Sequence, residues 1–384
     1  MNMHGGRDFV RHMPGSTAAF KKGEAFWRII HIDPWLLLLL MVLTAAGLTI
    51  LYSASGTSDF MIRRQIIFFS IAYVGMIGIA QVPIGLLERG GKWLYIVGII
   101  LLVLVLLMGV GAKGAQRWLS LGFIRFQPSE ILKLAMPLCI AAYLGRRSMP
   151  PKFKHIVGCL FLVALPALLI LKQPDLGTSI LVVASGLLAL FLAGLKWRYI
   201  LGSILLLGAA SLPMWHFVMH DYQKQRVLTL LDPEADRLGS GWNIIQSKTA
   251  IGSGGVTGKG WMKGTQSQLD FLPESHTDFI IAVLAEEFGL KGVLLLLSLY
   301  GVIVMRGLVI AWKAQTHFGR LLAGSITLTF FVYVFVNVGM VSGILPVVGV
   351  PLPLVSLGGT SLVTLMAGFG LLMAISTEPK KTQT

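Results

Sequence analysis

The run Trp93-Leu-Tyr-Ile-Val-Gly-Ile-Ile-Leu-Leu-Val-Leu-Val-Leu-Leu-Met-Gly-Val110 has no charged residue in 18 positions. Wound as an α-helix at 1.5 Å per residue it reaches about 27 Å, close to the ~30 Å hydrocarbon thickness of a bilayer. Nine further candidate spans lie near 35–53, 62–81, 129–145, 155–171, 176–195, 199–217, 290–312, 320–341 and 358–376. The stretch 279–289 is also apolar; sequence does not decide whether it extends the eighth span or forms a short helix at the outer surface. Composition agrees with many spans. Of 384 residues 55% are hydrophobic and only 13% charged, against about 25% charged in a soluble domain. The expected fold class is an all-α polytopic membrane protein of about ten transmembrane helices. A single transmembrane domain, 35–376, lies between an N-terminal arm, 1–34, and a tail, 377–384. The arm has no apolar core of a cleavable signal peptide.

The formal net charge is +15. On a soluble protein this would point to nucleic acid, but no basic stripe interleaved with aromatics occurs, and nucleic acid is excluded as a partner. The cations sit in short loops instead, where they report topology. With the N-terminus inside, Arg89, Lys92, Arg146, Arg147, Lys152, Lys154, Lys196, Arg198, Arg306, Lys313 and Arg320 fall on the cytoplasmic side. The short outer loops hold fewer: Arg63, Arg64, Lys113, Arg117, Arg125 and Lys172. Both termini are then cytoplasmic, with anionic lipid contact as an added consequence of the charge. Cys139 and Cys159 lie inside apolar runs, as buried thiols rather than a disulfide framework.

One long outer loop, about 216–277, holds most of the polar chemistry, including a glycine-rich run from Gly252 to Gly264. Its irregular backbone must be covered by protein or line a wet cavity. At its end Leu272-Pro-Glu-Ser-His-Thr-Asp278-Phe279 sets Glu274, His276 and Asp278 at the mouth of a membrane helix, where a carboxylate is costly unless paired or facing water. Glu286 and Glu287 follow two turns on, one expected to face the same cavity or the outer surface and the other to pair locally. Two other outer helix starts echo each other, Gln127-Pro-Ser-Glu130 and Gln173-Pro-Asp175. Glu130 and Lys133 share a helix face. As a neutralising pair they would let the helix sit in the bundle; as cavity residues they would tune a neighbouring carboxylate. Asp175 reads equally as an ordinary helix-start acid. The outer cations Arg117, Arg226, Lys248, Lys259 and Lys263 suit a phosphorylated lipid headgroup.

Other motifs fail. Ser253-Gly-Gly-Val-Thr-Gly-Lys259 lacks the first glycine and the Ser/Thr of a nucleotide loop, 232–237 lacks the EF-hand glycine, and His216 with His220 has no third zinc ligand. With no ATP site visible, an outward-facing transferase most simply uses a donor carried by lipid.

At these segments the chain resembles the SEDS family (shape, elongation, division and sporulation). The matching stretches are Lys113-Gly-Ala-Gln-Arg-Trp118, Gln127 to Lys133, Gln173 to Thr178, Gln246 to Gly255, Gly264 to Gln268, Leu272 to Phe279 and Pro351 to Ser361. The 264–273 run resembles the RodA branch rather than the FtsW branch. The resemblance implies a peptidoglycan glycosyltransferase that polymerises lipid II into glycan strands on the periplasmic face of the bacterial inner membrane during elongation. Its implied partners are lipid II and the nascent lipid-linked glycan, a class B penicillin-binding protein, and elongation machinery with an actin-like cytoskeletal protein. Matched motifs place the catalytic acid at Asp278, with Glu130, Lys133 and Asp175 in the same cavity. Arg117, Tyr222, Arg226, Gln246, Ser247, Lys248, Lys263, His276, Thr277 and Ser356 are the candidate substrate-binding residues. A divalent cation, magnesium or manganese, is the one cofactor entertained, with no metal ligands assigned. A lipid II flippase and a non-catalytic scaffold for a penicillin-binding protein are the alternatives. Both sit poorly with acids gathered near one face, since a flippase predicts ionisable residues spread through the membrane depth and a scaffold gains nothing from their cost.

Overall fold

A computed structural model describes residues 27, 30–112, 115–120, 125–219, 221–236, 240–269, 271–272 and 274–379. Each of the ten expected spans coincides with a helix. They are α1 (Pro34–Ala54), α2 (Asp59–Ala80), α3 (Ile84–Met108), α4 (Pro128–Gly145), α5 (Phe153–Leu171), α6 (Leu176–Leu192), α7 (Trp197–Pro213), α11 (Ile280–Lys313), α12 (His317–Val341) and α13 (Thr360–Ser376). Among the described residues seven helices are long and apolar enough to cross a membrane, α7 counted with the π-helical turn Met214–Val218 that follows it. Two more, α6 and α13, are apolar but have 17 residues each. The tenth, α4, carries Glu130 and Lys133 on its buried face. The chain is a multi-pass membrane protein.

Three features depart from the expectation. The third span begins at Ile84 rather than near 93, because Glu88, Arg89 and Lys92 ride on its cytoplasmic turns. A small antiparallel ribbon, β1 (Val110–Ala112), β2 (Ala115–Ser120) and β3 (Arg125–Phe126), stands in the outer loop before α4. The long outer loop is substantially helical, holding α8 (Asp221–Leu231), α9 (Ser240–Gly254) and the single turn α10 (Thr265–Gln268). Most of the N-terminal arm (1–26, 28–29) and the residues 380–384 of the tail lie outside the described residues.

Charge fastens the end of the bundle at which α1 begins. Asp33, 2% exposed, accepts hydrogen bonds from Arg306 Nη2 at 2.6 Å, Ser376 Oγ at 2.7 Å and the N–H of Leu36 at 3.1 Å. One carboxylate thereby caps α1 and ties it to α11 and α13. Gln81 Nε2 donates to Ile30 O at 2.7 Å, and His31 meets Thr377 at 3.0 Å. The ends of α2 and α13 are thus on the side where the chain enters. By contrast α7 has no buried residue in its most apolar stretch and stands out from the bundle.

The undecided stretch 279–289 is a helix of its own. Helix α11 breaks at Gly289 (φ 66°, ψ −164°), separating a short segment, 280–288, from the long span. Residues 280–287 are all buried. A break leaves the last carbonyls of a helix without partners, and the glycine-rich run supplies them. The N–H groups of Lys259 and Gly260 donate to the carbonyls of Glu286 and Glu287 at 3.0 and 2.9 Å, and Leu290 N–H donates back to Gly255 O at 2.9 Å. Gly258 (φ +77°) lies so close to the Glu287 carbonyl that a Cβ there would clash with it, so only glycine permits this approach. The substitution Gly258→Ala should lower stability by about 1–3 kcal/mol, read as a fall in melting temperature of the detergent-purified protein. Gly252→Ala, with nothing within 4 Å of the added carbon, should leave it unchanged or higher.

Candidate active site

A cavity of about 250 Å³ opens among β2, the outer ends of α4, α6 and α12, and the non-helical segment 342–359. Arg117, Trp118, Gln127, Glu130, Lys133 and Asp175 line one side; Tyr333 and the 349–359 chain line the other. Three helices present their N-termini here. Gln127 precedes α4, Asp175 precedes α6, and Gly359 precedes α13. Only Asp175 caps its helix with a side chain, accepting from Thr178 N–H at 3.2 Å. The first-turn N–H groups of α4 and α13 lack side-chain caps, and all three dipoles put partial positive charge toward the cavity.

The ionisable groups are mutually engaged. Lys133 Nζ sits 2.6 Å from Glu130 Oε1, both buried, and 5.1 Å from the centre of the Tyr333 ring. Gln127 Nε2 donates to Asp175 Oδ2 at 2.7 Å, so the two echoing helix starts are in contact. Arg117 Nε lies 3.9 Å from the same carboxylate oxygen, and the guanidinium also donates to the carbonyls of Gln173 and Pro174. The ribbon thereby holds Arg117 over the start of α6.

Asp278 enters through the opposite wall. Its carboxylate Oδ2 is 3.5 Å from the position a Cβ would take on Gly349, which itself lines the cavity. The turn carrying it is fastened to 342–359. Asn337 Nδ2 donates to Asp278 O at 2.8 Å and to Val350 O at 2.7 Å. Ser356 Oγ donates to Thr277 O at 2.5 Å while accepting from Leu352 N–H at 2.9 Å, and Leu357 N–H donates to His276 O at 2.9 Å. Glu274 Oε2 accepts from Thr277 Oγ1 at 2.7 Å.

The candidate residues therefore divide. Arg117, Glu130, Lys133, Asp175 and Ser356 line the cavity, Asp278 abuts it, and His276 and Thr277 belong to the turn that holds Asp278. The Ser356 hydroxyl is occupied by backbone, so its part is to position that turn. The other substrate-binding candidates are not among the residues that line this cavity. Ser247, fully buried, donates to Val341 O and Ile244 O at 3.0 Å each and anchors α9 to the end of α12. Lys248 packs on Gly343. Arg226, Gln246 and Lys263 are not among the lining residues, and the side chain of Tyr222 lies outside the described residues. Lys259 is 2.7 Å from Glu286, whose carboxylate also accepts from the N–H groups of Thr265 and Gln266 at 2.7 and 3.1 Å. Glu287 accepts from Ser53. Neither glutamate lines the cavity: Glu286 holds the loop to the short helix, and Glu287 ties that helix to α1. Sequence reading overlooked Tyr333 and Asn337; the signal was a polar pair one turn apart in an otherwise apolar run.

The protein groups do not by themselves form a cage for a divalent cation, whereas a cation carried on a substrate diphosphate needs only one or two carboxylates. Among the described residues no three His, Cys, Asp or Glu side chains group as metal ligands do. Glu130 is taken by Lys133, and Asp175 by Gln127 and its own helix.

The chain matches the family model FTSW_RODA_SPOVE, described as cell cycle protein, over residues 28–381. It is 57% identical over 358 residues to the peptidoglycan glycosyltransferase MrdB of Escherichia coli (strain K12), covering 93% of this chain and 96% of that protein. It is 37% identical to the probable peptidoglycan glycosyltransferase FtsW of Trichlorobacter lovleyi, over 91% of this chain and 94% of the relative. Among solved structures it is similar to a chain from a peptidoglycan synthase complex that coordinates polymerization and crosslinking (TM-score 0.80, 30% identity, 90% of this chain and 97% of that one). It is also similar to the rod shape determining protein RodA of Thermus thermophilus (TM-score 0.68, 28% identity, 90% of this chain and 96% of that one).

Removing one partner of a buried ion pair strands the other at a cost of about 3–5 kcal/mol. Lys133→Met should therefore lower the melting temperature clearly. Glu130→Gln/Lys133→Met, which strands no charge, should melt above the single variant. Equal melting of the two would show that the pair contributes nothing to folding.

Proposed function

We infer that this chain, which belongs to the FtsW/RodA/SpoVE family of cell cycle proteins, is a peptidoglycan glycosyltransferase whose chemistry takes place in the outer cavity, at Asp278. The observation that carries the site assignment is the carboxylate of Asp278 against Gly349 in the wall of a cavity shared by Arg117, Glu130, Lys133 and Asp175. The substrate is lipid II, presented with the growing lipid-linked glycan on the periplasmic face of the inner membrane. Asp278 takes the proton from the acceptor sugar 4-hydroxyl as that oxygen attacks the anomeric carbon of the donor. The bond to undecaprenyl diphosphate breaks in the same displacement, inverting the anomeric centre, and the diphosphate departs with the electron pair. A positioned carboxylate base of this kind contributes about 10²–10⁴ in rate.

The departing diphosphate needs positive charge aimed at where its own charge grows. Arg117 and the uncapped N-termini of α4 and α13 supply it from this chain. No step is assigned to a divalent cation. Glu130 and Lys133 neutralise each other, and Asp175 is met by Gln127 and Arg117, so the cavity remains polar without a large net charge; their part is to position and tune. Crosslinking falls to a class B penicillin-binding protein bound alongside, within elongation machinery tied to an actin-like filament. The likeness to a chain from a complex that coordinates polymerization with crosslinking supports this division of labour.

In a defined bilayer holding the purified protein, its penicillin-binding partner and lipid II, Asp278→Asn should lower glycan polymerisation at least about 100-fold, with melting temperature and partner binding unchanged. Polymerisation of the variant at the wild-type rate refutes the assignment of Asp278 as base.

A further inference from the structure

A second cavity, of about 660 Å³, lies at the opposite end of the bundle between α3, α4 and α5. Its deeper walls are apolar: Tyr95, Ile96, Ala142, Phe161 and Leu162. Tyr95 Oη donates to Leu162 O at 2.8 Å and fastens α3 to α5 within this lining. Ile96 and Phe161 are 43% and 67% exposed, so the cavity opens sideways toward hydrocarbon. Its rim is basic. Arg89, Lys92, Arg146 and Arg147 all line it, against one acid, Glu88, which Arg146 engages at 2.6 Å. These are loop and helix-end residues on the cytoplasmic side, level with the inner-leaflet headgroups. Nothing in the glycosyltransferase reaction uses them.

Two of the cations are held rather than left to wander. Arg147 donates to Tyr143 O and lies over the Tyr143 ring, 3.6 Å from its centre. Lys92 Nζ sits 5.3 Å from the centre of the Trp93 ring. Cations fixed in advance lose little freedom when they take up a ligand. A lateral apolar slot beneath a rim with an excess of three positive charges has the form of a site for a charged lipid.

We propose that this cavity binds an anionic phospholipid of the cytoplasmic leaflet, its phosphate between Arg89, Lys92 and Arg147 and an acyl chain along Ile96, Ala142 and Phe161. A zwitterionic headgroup brings its own cation against these three and is disfavoured. A sugar-bearing isoprenoid diphosphate suits the cavity less well, because the only carboxylate that would accept its hydroxyls, Glu88, is already paired.

Native mass spectrometry of the full-length protein, offered phosphatidylglycerol and phosphatidylcholine of the same acyl chains in equal amounts, tests this. The wild type should retain phosphatidylglycerol at least tenfold in preference. Arg89→Gln/Lys92→Gln/Arg147→Gln should lose that preference. Lys152→Gln/Lys154→Gln, exposed cations of the same surface outside the cavity, should keep it. As an independent arm, Ala142→Phe fills the apolar slot with every charge intact and should reduce retention of the lipid several-fold. The proposal is overturned by a wild type with no preference, by a triple variant as selective as the wild type, by full retention in Ala142→Phe, or by preferential capture of an added undecaprenyl diphosphate over phosphatidylglycerol.

Discussion

One buried amide ties the turn of Asp278 to the irregular wall of the outer cavity. Asn337, fully buried in α12, donates one N–H to the carbonyl of Asp278 and the other to that of Val350. Both acceptors belong to backbone that is not helical and lies within the bundle. Backbone of this kind cannot face lipid, since each unpaired carbonyl or N–H costs several kcal/mol there. The segment 342–359 meets the same demand throughout. Gln65 donates to Ser356 O and accepts from Gly358 N–H, Tyr300 donates to Pro353 O, and Ser356 takes Leu352 N–H. Four buried polar side chains from three helices and the segment itself thus build an irregular wall that no helix could form. That wall is the surface against which Asp278 is set.

The chemistry follows from this packing. Helices interrupted near the outer surface expose N-termini, and three of them meet at one cavity beside a carboxylate and an arginine. An enzyme acting on a lipid-borne sugar diphosphate needs that combination: a base on one side and partial positive charge on the other. The arrangement also explains why Glu130 and Lys133 are tolerated in a membrane helix. They neutralise each other at 2.6 Å, and Tyr333 covers the ammonium.

Much of this was legible in the sequence where hydropathy or helix-start chemistry carries the signal. The ten apolar runs coincide with ten helices, and the echo between Gln127-Pro and Gln173-Pro-Asp175 proved to be a contact between two helix starts. The glycine-rich run was not legible. Its glycines read as irregular backbone either covered by protein or lining a wet cavity; they let the loop approach the carbonyls of a broken helix, and a requirement for close approach leaves no trace of its partner in the local sequence. The partners of Ser247 and Lys259 were illegible for a related reason. A hydroxyl or ammonium facing substrate and one facing Val341 O or Glu286 are identical in one dimension. The break at Gly289 falls in the stretch the sequence left undecided: Glu286, Glu287, Gly289 and Lys291 interrupt the apolar run there without showing whether the helix continues.

The account rests on Asp278 meeting the sugar within the cavity bounded by Arg117, Glu130 and the 349–359 wall. A cryo-electron microscopy structure of the protein with a non-hydrolysable lipid II analogue measures this directly. The account predicts the sugar's anomeric region in that cavity, its diphosphate toward Arg117 and the α4 and α13 N-termini, and the acceptor hydroxyl within hydrogen-bond reach of Asp278. Sugar density at the cytoplasmic end, or at the outer face but out of reach of Asp278, would contradict it.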